Sequence, residues 1–225
     1  MTGVQTCALP ISLIVKGTLT ISGDHNELED VIVGGASGPG VIITGHHNKV
    51  TVMTTNNGGD GVHLAGAVTN TVMHTVIADQ NTGHGIYAGP GVTGTSLDPA
   101  VAVRNGLSGV FLEGCLATTL NFVQSGFNMN FGILVSAVDD ARTTINCLAQ
   151  GNTRSGLCLS NGTSRLRCMG AIFSGSVGLE LNGAGVTRNS IDMSINGCSA
   201  DGARLFAGQS NELTLAIGNC AGHGL

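Results

Sequence analysis

Apolar residues recur along this chain in one short alternating phrase: a glycine, then an apolar residue, any residue, and a second apolar residue. The phrase starts at Gly40, Gly61, Gly85, Gly109, Gly132, Gly156, Gly178, Gly202 and Gly224, at spacings of 21, 24, 24, 23, 24, 22, 24 and 22 residues, a mean of 23. The triplets after the first eight glycines read VII, VHL, IYA, VFL, ILV, LCL, LEL and ARL, so all sixteen first and third positions are apolar. Such alternation predicts a strand with one face buried and the other turned outward. A second alternating stretch follows a short polar turn, as in NKVTV at 48–52, NSIDMSI at 189–195 and NELTLAI at 211–217. Nothing between the two stretches has helical periodicity or room for a helix, which excludes βαβ folds. A leucine-rich horseshoe has a comparable period, but Leu is too sparse here for its signature.

Polar residues keep the same period. Asn57, Asn81, Asn105, Asn128 and Asn152, then Ser174, Cys198 and Cys220, stand four residues before successive anchor glycines. If each repeat is one coil, neighbouring coils lie about 4.8 Å apart. Side-chain amides can then bond from coil to coil as an asparagine ladder and also satisfy backbone groups at a buried turn. A second, weaker set, Asn26, Asn48, Asn70 and Asn211, precedes the second strand. The anchor glycines are expected at sharp turns that need positive φ. With this repeat, residues 18 to 225 resemble the right-handed parallel β-helix proteins, the pectate-lyase-like superfamily. The resemblance implies an all-β fold, a right-handed parallel β-helix solenoid of about nine coils of roughly 23 residues. It does not choose a function, because the superfamily includes polysaccharide lyases and hydrolases, phage tailspikes and adhesins.

Composition narrows the partners. The chain has 36 Gly, 42% hydrophobic and 10% charged residues, with a net charge of -5 and its two Lys and seven Arg scattered. That leaves no electrostatic footprint for nucleic acid. No apolar run reaches the length of a membrane span. Residues 1 to 12, MTGVQTCALPIS, resemble the translation of a sequencing-library adapter; they contain no Lys or Arg that would make them the start of a signal peptide. The expectation is therefore a single β-helix domain over 13–225, truncated at both ends, with Cys7 set aside. Uncapped coil ends expose strand edges and favour self-association.

Candidate chemistry begins with Gly83-His84-Gly85, a triplet repeated at Gly222-His223-Gly224. In the polygalacturonase family a Gly-His-Gly element follows an Asp-Asp pair and an Asn-Thr-Asp element and precedes an Arg-Ile-Lys element. Here Asp139-Asp140 comes after the triplet, Asn81-Thr82 is followed by Gly83, and Arg-Ile-Lys is missing. The second glycine of each triplet is a repeat anchor, and the residue before the anchors varies as an unconstrained position would. The triplet therefore reads as scaffold, and Asp139-Asp140 as a solvated turn. Asp24-His25 and His46-His47 fall at equivalent places in adjacent coils and read as stacked turn residues rather than a metal site. NNGGDGVHL occurs once, unlike a calcium-binding nonapeptide array, and pectate lyases' acidic calcium ligands with a neighbouring Arg have no counterpart. No catalytic residue, metal or cofactor is assigned. The cysteines lack CxxC spacing; Cys198 and Cys220, one coil apart, are within reach of a disulfide or stack as buried thiols.

The outward position of the first strand supplies the leading site. Down successive coils it reads Ile42, His63, Tyr87, Phe111, Leu134, Cys158, Glu180 and Arg204. His63, Tyr87 and Phe111 would form a short exposed ring stack with Glu113, Asp60 and His84 at its margin, suited to a sugar chain along the helix axis. The plainer reading is cross-coil packing or an apolar strip covered by another subunit. The expected function is that of a secreted or surface β-helix protein contacting carbohydrate as a binding or adhesive scaffold. The alternative is part of a polysaccharide lyase or glycoside hydrolase.

Overall fold

The structure is a computed structural model that describes residues 13 to 173, 175 to 206 and 208 to 225. The adapter-like segment 1–12, with Cys7, and Ser174 of the four-before-glycine row lie outside the described residues. Each repeat is one turn of a parallel β-solenoid with no helix among the described residues. The triplets form a narrow sheet of nine parallel strands, Leu19–Ile21, Val41–Ile43, Val62–Leu64, Ile86–Ala88, Val110–Glu113, Ile133–Ser136, Ser155–Ser160, Val177–Asn182 and Ala203–Leu205. The second stretches form a wide sheet of twelve strands on the other side of the coil, including Lys49–Thr55, Ser190–Asn196 and Glu212–Gly218. A third short line lies between them. It consists of Val186–Thr187 paired with Gly208–Gln209 and isolated bridges such as Thr69 to Thr93.

Pairing in register explains the core. Val41, Val62, Ile86, Val110, Ile133, Leu157 and Leu179 are consecutive Cα partners, so one apolar column runs down the axis. The third positions make a second column, and both are buried except at Leu205, which is 46% exposed. Interdigitated Val, Ile and Leu at every rung supply the non-directional burial that holds one coil on the next.

Corners join these lines, and at two of them the structure corrects the sequence reading. The anchor glycines do not have positive φ. That conformation falls instead on Asn56, Gln80, Arg104 and Phe127 at one corner and on His25, His47, Asn70 and Ala117 at the other. At the first corner the next residue points inward: Asn57, Asn81, Asn105, Asn128 and Asn152 are buried, and their amides bond in series. Asn57 Nδ2 donates to Asn81 Oδ1 at 2.8 Å, Asn81 to Asn105 at 3.1 Å, Asn105 to Asn128 at 3.0 Å and Asn128 to Asn152 at 2.9 Å. The same oxygens accept backbone N–H groups of the previous coil. Gly40, Gly61, Gly85, Gly109 and Gly132 are glycine because these amides come so close, whereas at Gly156, Gly178 and Gly202 an isoleucine methyl fills the space instead. A Cβ on Gly61 would stand 2.7 Å from Asn81 Nδ2 and 2.6 Å from the Gly85 carbonyl.

The second polar row is also shifted from expectation. Register places Thr71, not Asn70, beside Asn48, and the row continues through Thr95, Thr118 and Thr143, then buried Leu166, to Asn189 and Asn211. Asn70 takes the corner φ of 51° instead. Asn26 bonds Asn48 and Asn189 bonds Asn211, each at 3.0 Å. Among the described residues no helix is long and apolar enough to cross a membrane.

Candidate functional site

The outward row of the narrow sheet follows the predicted order rung by rung: Ile42 to His63, His63 to Tyr87, Tyr87 to Phe111 and Phe111 to Leu134 are Cα partners. His63, Tyr87 and Phe111 occupy the central position of three consecutive strands because their neighbours in each triplet face the core. Glu113 lies two residues beyond Phe111 at the end of its strand. Asp60 and His84 immediately precede anchor glycines, at the corner leading into the sheet.

All six candidates join one cluster. Asp60 Oδ2 lies 2.8 Å from His63 Nδ1, and Asp60 Oδ1 accepts the His84 backbone N–H at 2.7 Å. The His63 and Tyr87 ring centroids are 4.7 Å apart, those of Tyr87 and Phe111 5.3 Å, and those of His84 and Phe111 5.0 Å. Tyr87 donates its hydroxyl to Glu113 Oε2 at 2.6 Å. The expected exposed stack is corrected in form: the rings meet at 45–49° and each residue is half-buried. Tilted packing satisfies the quadrupoles of neighbouring rings, so the surface offers ring edges and polar tips rather than a flat platform.

Burial tunes the two central polar groups. Desolvation, and then the hydrogen bond to Glu113, push the Tyr87 hydroxyl up to about 12, so it remains a proton donor at any physiological pH. Burial lowers His84 below the ordinary 6.5, outweighing the favourable charge of Asp60. Its Nδ1 accepts the Ser108 backbone N–H at 3.2 Å, which leaves the proton of the neutral ring on Nε2.

The lowered value carries a stability prediction. The unfolded chain binds a proton at His84 below about 6.5 while the folded chain resists it, so this contribution is complete above that pH and declines as pH falls toward the lowered folded value. Urea unfolding at about pH 7.5 and pH 5 should show a larger loss of stability on acidification for the wild type than for His84→Gln. Equal losses would contradict the assignment.

The position before the anchors is therefore not unconstrained. Asp60 ties His84, His84 ties Ser108, and Asp201 accepts the His223 N–H at 2.9 Å, so these side chains bind the backbone of the next coil. Gly83 has a steric reason as well, since a Cβ there would meet Asp60. Asp139 and Asp140 lie apart from the outward row. Asp139 pairs with Arg165 at 2.7 Å on the bridge line through Ser164. Asp140 is not in a solvated turn but 7% exposed, and it accepts the backbone N–H groups of Ala117 and Arg142. His25 and His47 stack at 4.9 Å, and no group of three or more metal-ligating side chains forms among the described residues. Cys198 is buried and Cys220 half-buried.

No protein-family model and no curated protein sequence matches the chain. Among solved structures it is similar to the A-module of the mannuronan C-5 epimerase AlgE4 of Azotobacter vinelandii, with a TM-score of 0.54 and 16% identity. That match covers 91% of this chain and 67% of the module. It is also similar to tailspike protein 2 of the Escherichia coli O157:H7 bacteriophage CAB120, with a TM-score of 0.50 and 10% identity, over 87% of this chain and 28% of the tailspike. The likeness is one of fold: this chain is a parallel β-helix.

Proposed function

We propose that the outer face of the narrow sheet, from His63 to Phe111, contacts a polysaccharide, and that the chain serves a secreted or surface-exposed β-helix protein as a binding or adhesive scaffold. The observation that carries the reading is the in-register gathering of three rings, two carboxylates and a neutral imidazole on three consecutive coils. Ring edges pack against the C–H surfaces of sugars, carboxylate oxygens accept from their hydroxyls, and the Nε2–H of His84 donates to their oxygens. The repeat direction suits a linear polymer, since each rung offers an equivalent position to successive sugar units. By their names, one similar structure acts on mannuronan and another is a phage tailspike, which agrees with a polysaccharide partner outside the cell.

Binding is expected to depend on the rings. Tyr87→Ala combined with Phe111→Ala should weaken polysaccharide binding at least tenfold, about 1.4 kcal/mol, in affinity electrophoresis against neutral and acidic polymers. Unchanged mobility of the double variant across that panel would refute the reading.

One observation favours a second reading, part of a polysaccharide lyase or glycoside hydrolase. His84, neutral, and Tyr87, a firm donor, stand with centroids 6.1 Å apart, the kind of pair that exchanges protons with a bound ring. Against it, the Asp60 carboxylate and the Tyr87 proton are both engaged within the protein. Reducing-end or unsaturated-product release lost in His84→Ala or Asp60→Ala would decide for the enzyme.

A further inference from the structure

The outward row continues beyond Phe111 through Leu134 and Cys158 to Glu180 and Arg204. At Glu180 the surface changes character. This residue faces away from the core yet is only 6% exposed, and it lies in a cleft of about 380 Å³ with Arg154, Ser155, Asn182, Arg204 and Phe206. That volume is toward the lower end of the roughly 300–1,000 Å³ typical of small-ligand sites. Ser155 is buried with Glu180, whereas Phe206 is 62% exposed and Arg154 is exposed at the rim.

The polar groups here are only partly committed. Ser155 Oγ donates to Glu180 Oε2 at 2.6 Å and Asn182 Nδ2 to Oε1 at 3.2 Å, both uncharged donors. A carboxylate has about four acceptor positions, so Glu180 keeps lone pairs for further O–H donors. Arg204 is matched by Asp201 at 2.6 Å. Arg154 rests over the Phe131 ring at 4.5 Å and joins no ion pair among the described residues. The cleft thus combines a buried acceptor with spare capacity, a guanidinium held in place by stacking, and an exposed ring.

We propose that this cleft is a second subsite for the same polysaccharide, holding one neutral pyranose ring whose vicinal hydroxyls donate to Glu180, with Arg154 donating to a hydroxyl oxygen and Phe206 against the ring face. The inference rests on the reading of the His63–Phe111 surface given above. It adds the sign and the length of the ligand. Glu180 stands on the outward row and Asp60 and Glu113 stand beside it, three carboxylates on one face of a chain with net charge -5. A uronate chain would set its own carboxylates against them, whereas a neutral chain brings hydroxyl donors. Tyr87 and Glu180 are four rungs apart, roughly 19 Å at about 4.8 Å each. Each rung is close to the length of one pyranose unit, so a hexasaccharide reaches both sites.

Isothermal titration of the full chain with manno-, gluco- and galacto-configured hexasaccharides and their uronate counterparts tests this. At least one neutral hexamer should bind at least tenfold more tightly than its uronate form. Glu180→Gln and the surface variant Arg154→Ala should each lower that affinity about tenfold, with Arg154→Ala keeping a cooperative urea transition. Unaltered affinity in both variants, with binding still lost in the Tyr87→Ala, Phe111→Ala double variant, would overturn the subsite and leave the proposed function standing. Tighter binding of the uronates would overturn it too. No binding by any hexamer would overturn both.

Discussion

Replacing Gly85 by alanine should destabilise the protein by about 3 kcal/mol or more, the upper end of what overpacking costs, and sharply reduce soluble yield. The added Cβ would stand 2.6 Å from the Gly109 carbonyl oxygen, 2.7 Å from Asn105 Nδ2 and 2.9 Å from Ala102 Cβ. None of these can retreat freely. The carbonyl receives the Ile86 N–H at 2.9 Å, the amide is bonded on both sides, and Ala102 is fully buried in the core. Because a solenoid is stabilised by nearest-neighbour contacts, prying apart two central coils should loosen the array on both sides of the defect. Gly38→Ala is the control: no atom lies within 4 Å of a Cβ there and its φ is ordinary. Its effect should stay within about 0.5 kcal/mol. Thermal or urea midpoints that fall equally for both variants would show that the anchors are not glycine for steric reasons.

That result bears on what the sequence could reveal. The narrow sheet was legible because two signals coincide at each rung, a period of two within the triplet and a near-constant spacing between triplets. Register then placed His63, Tyr87 and Phe111 in one line, and Asp60, His84 and Glu113 close by. The corners were not legible. Positive φ is carried there by His, Asn, Gln, Arg, Phe and Ala in different coils, because the following inward side chain and the stacked neighbours impose the conformation. No composition marks it. The same blindness explains why Asn70 was read into a row that belongs to Thr71, one residue on. Ring tilt and half-burial depend on side-chain packing across coils, which a linear pattern does not encode. The cleft around Glu180 was readable only in part. Glu180 and Arg204 lie on the counted row, but Arg154, Ser155 and Phe131 lie in or next to the corner before Gly132 and Gly156, where the strand pattern does not say which side chains turn toward that row.

Asn105→Ala should cost about 4 kcal/mol, judged from about 1–3 kcal/mol for each buried polar group left unpaired. Asn105 is fully buried; its amide donates to Asn128 Oδ1 at 3.0 Å and to the Ala78 carbonyl at 3.1 Å, and it accepts from the Asn81 amide and backbone N–H, each at 3.1 Å. Alanine strands the Asn81 N–H and weakens the bonding of Ala78. The isosteric Asn105→Asp separates hydrogen bonding from size. An ionised carboxyl keeps the acceptor role but turns oxygens toward Asn128 Oδ1 and the Ala78 carbonyl, and it buries an unpaired charge. Its folded-state pKa must then be raised above the ordinary carboxyl value, so the native variant binds the extra proton. Stability supplied by that proton is present at low pH and lost as pH rises through the raised value. In urea unfolding at about pH 5 and pH 8, Asn105→Asp should therefore lose stability toward high pH, opposite in sign to the His84 contribution of the wild type. An Asp variant as stable as the wild type at both pH values would mean that the amide's donors contribute nothing to joining the coils.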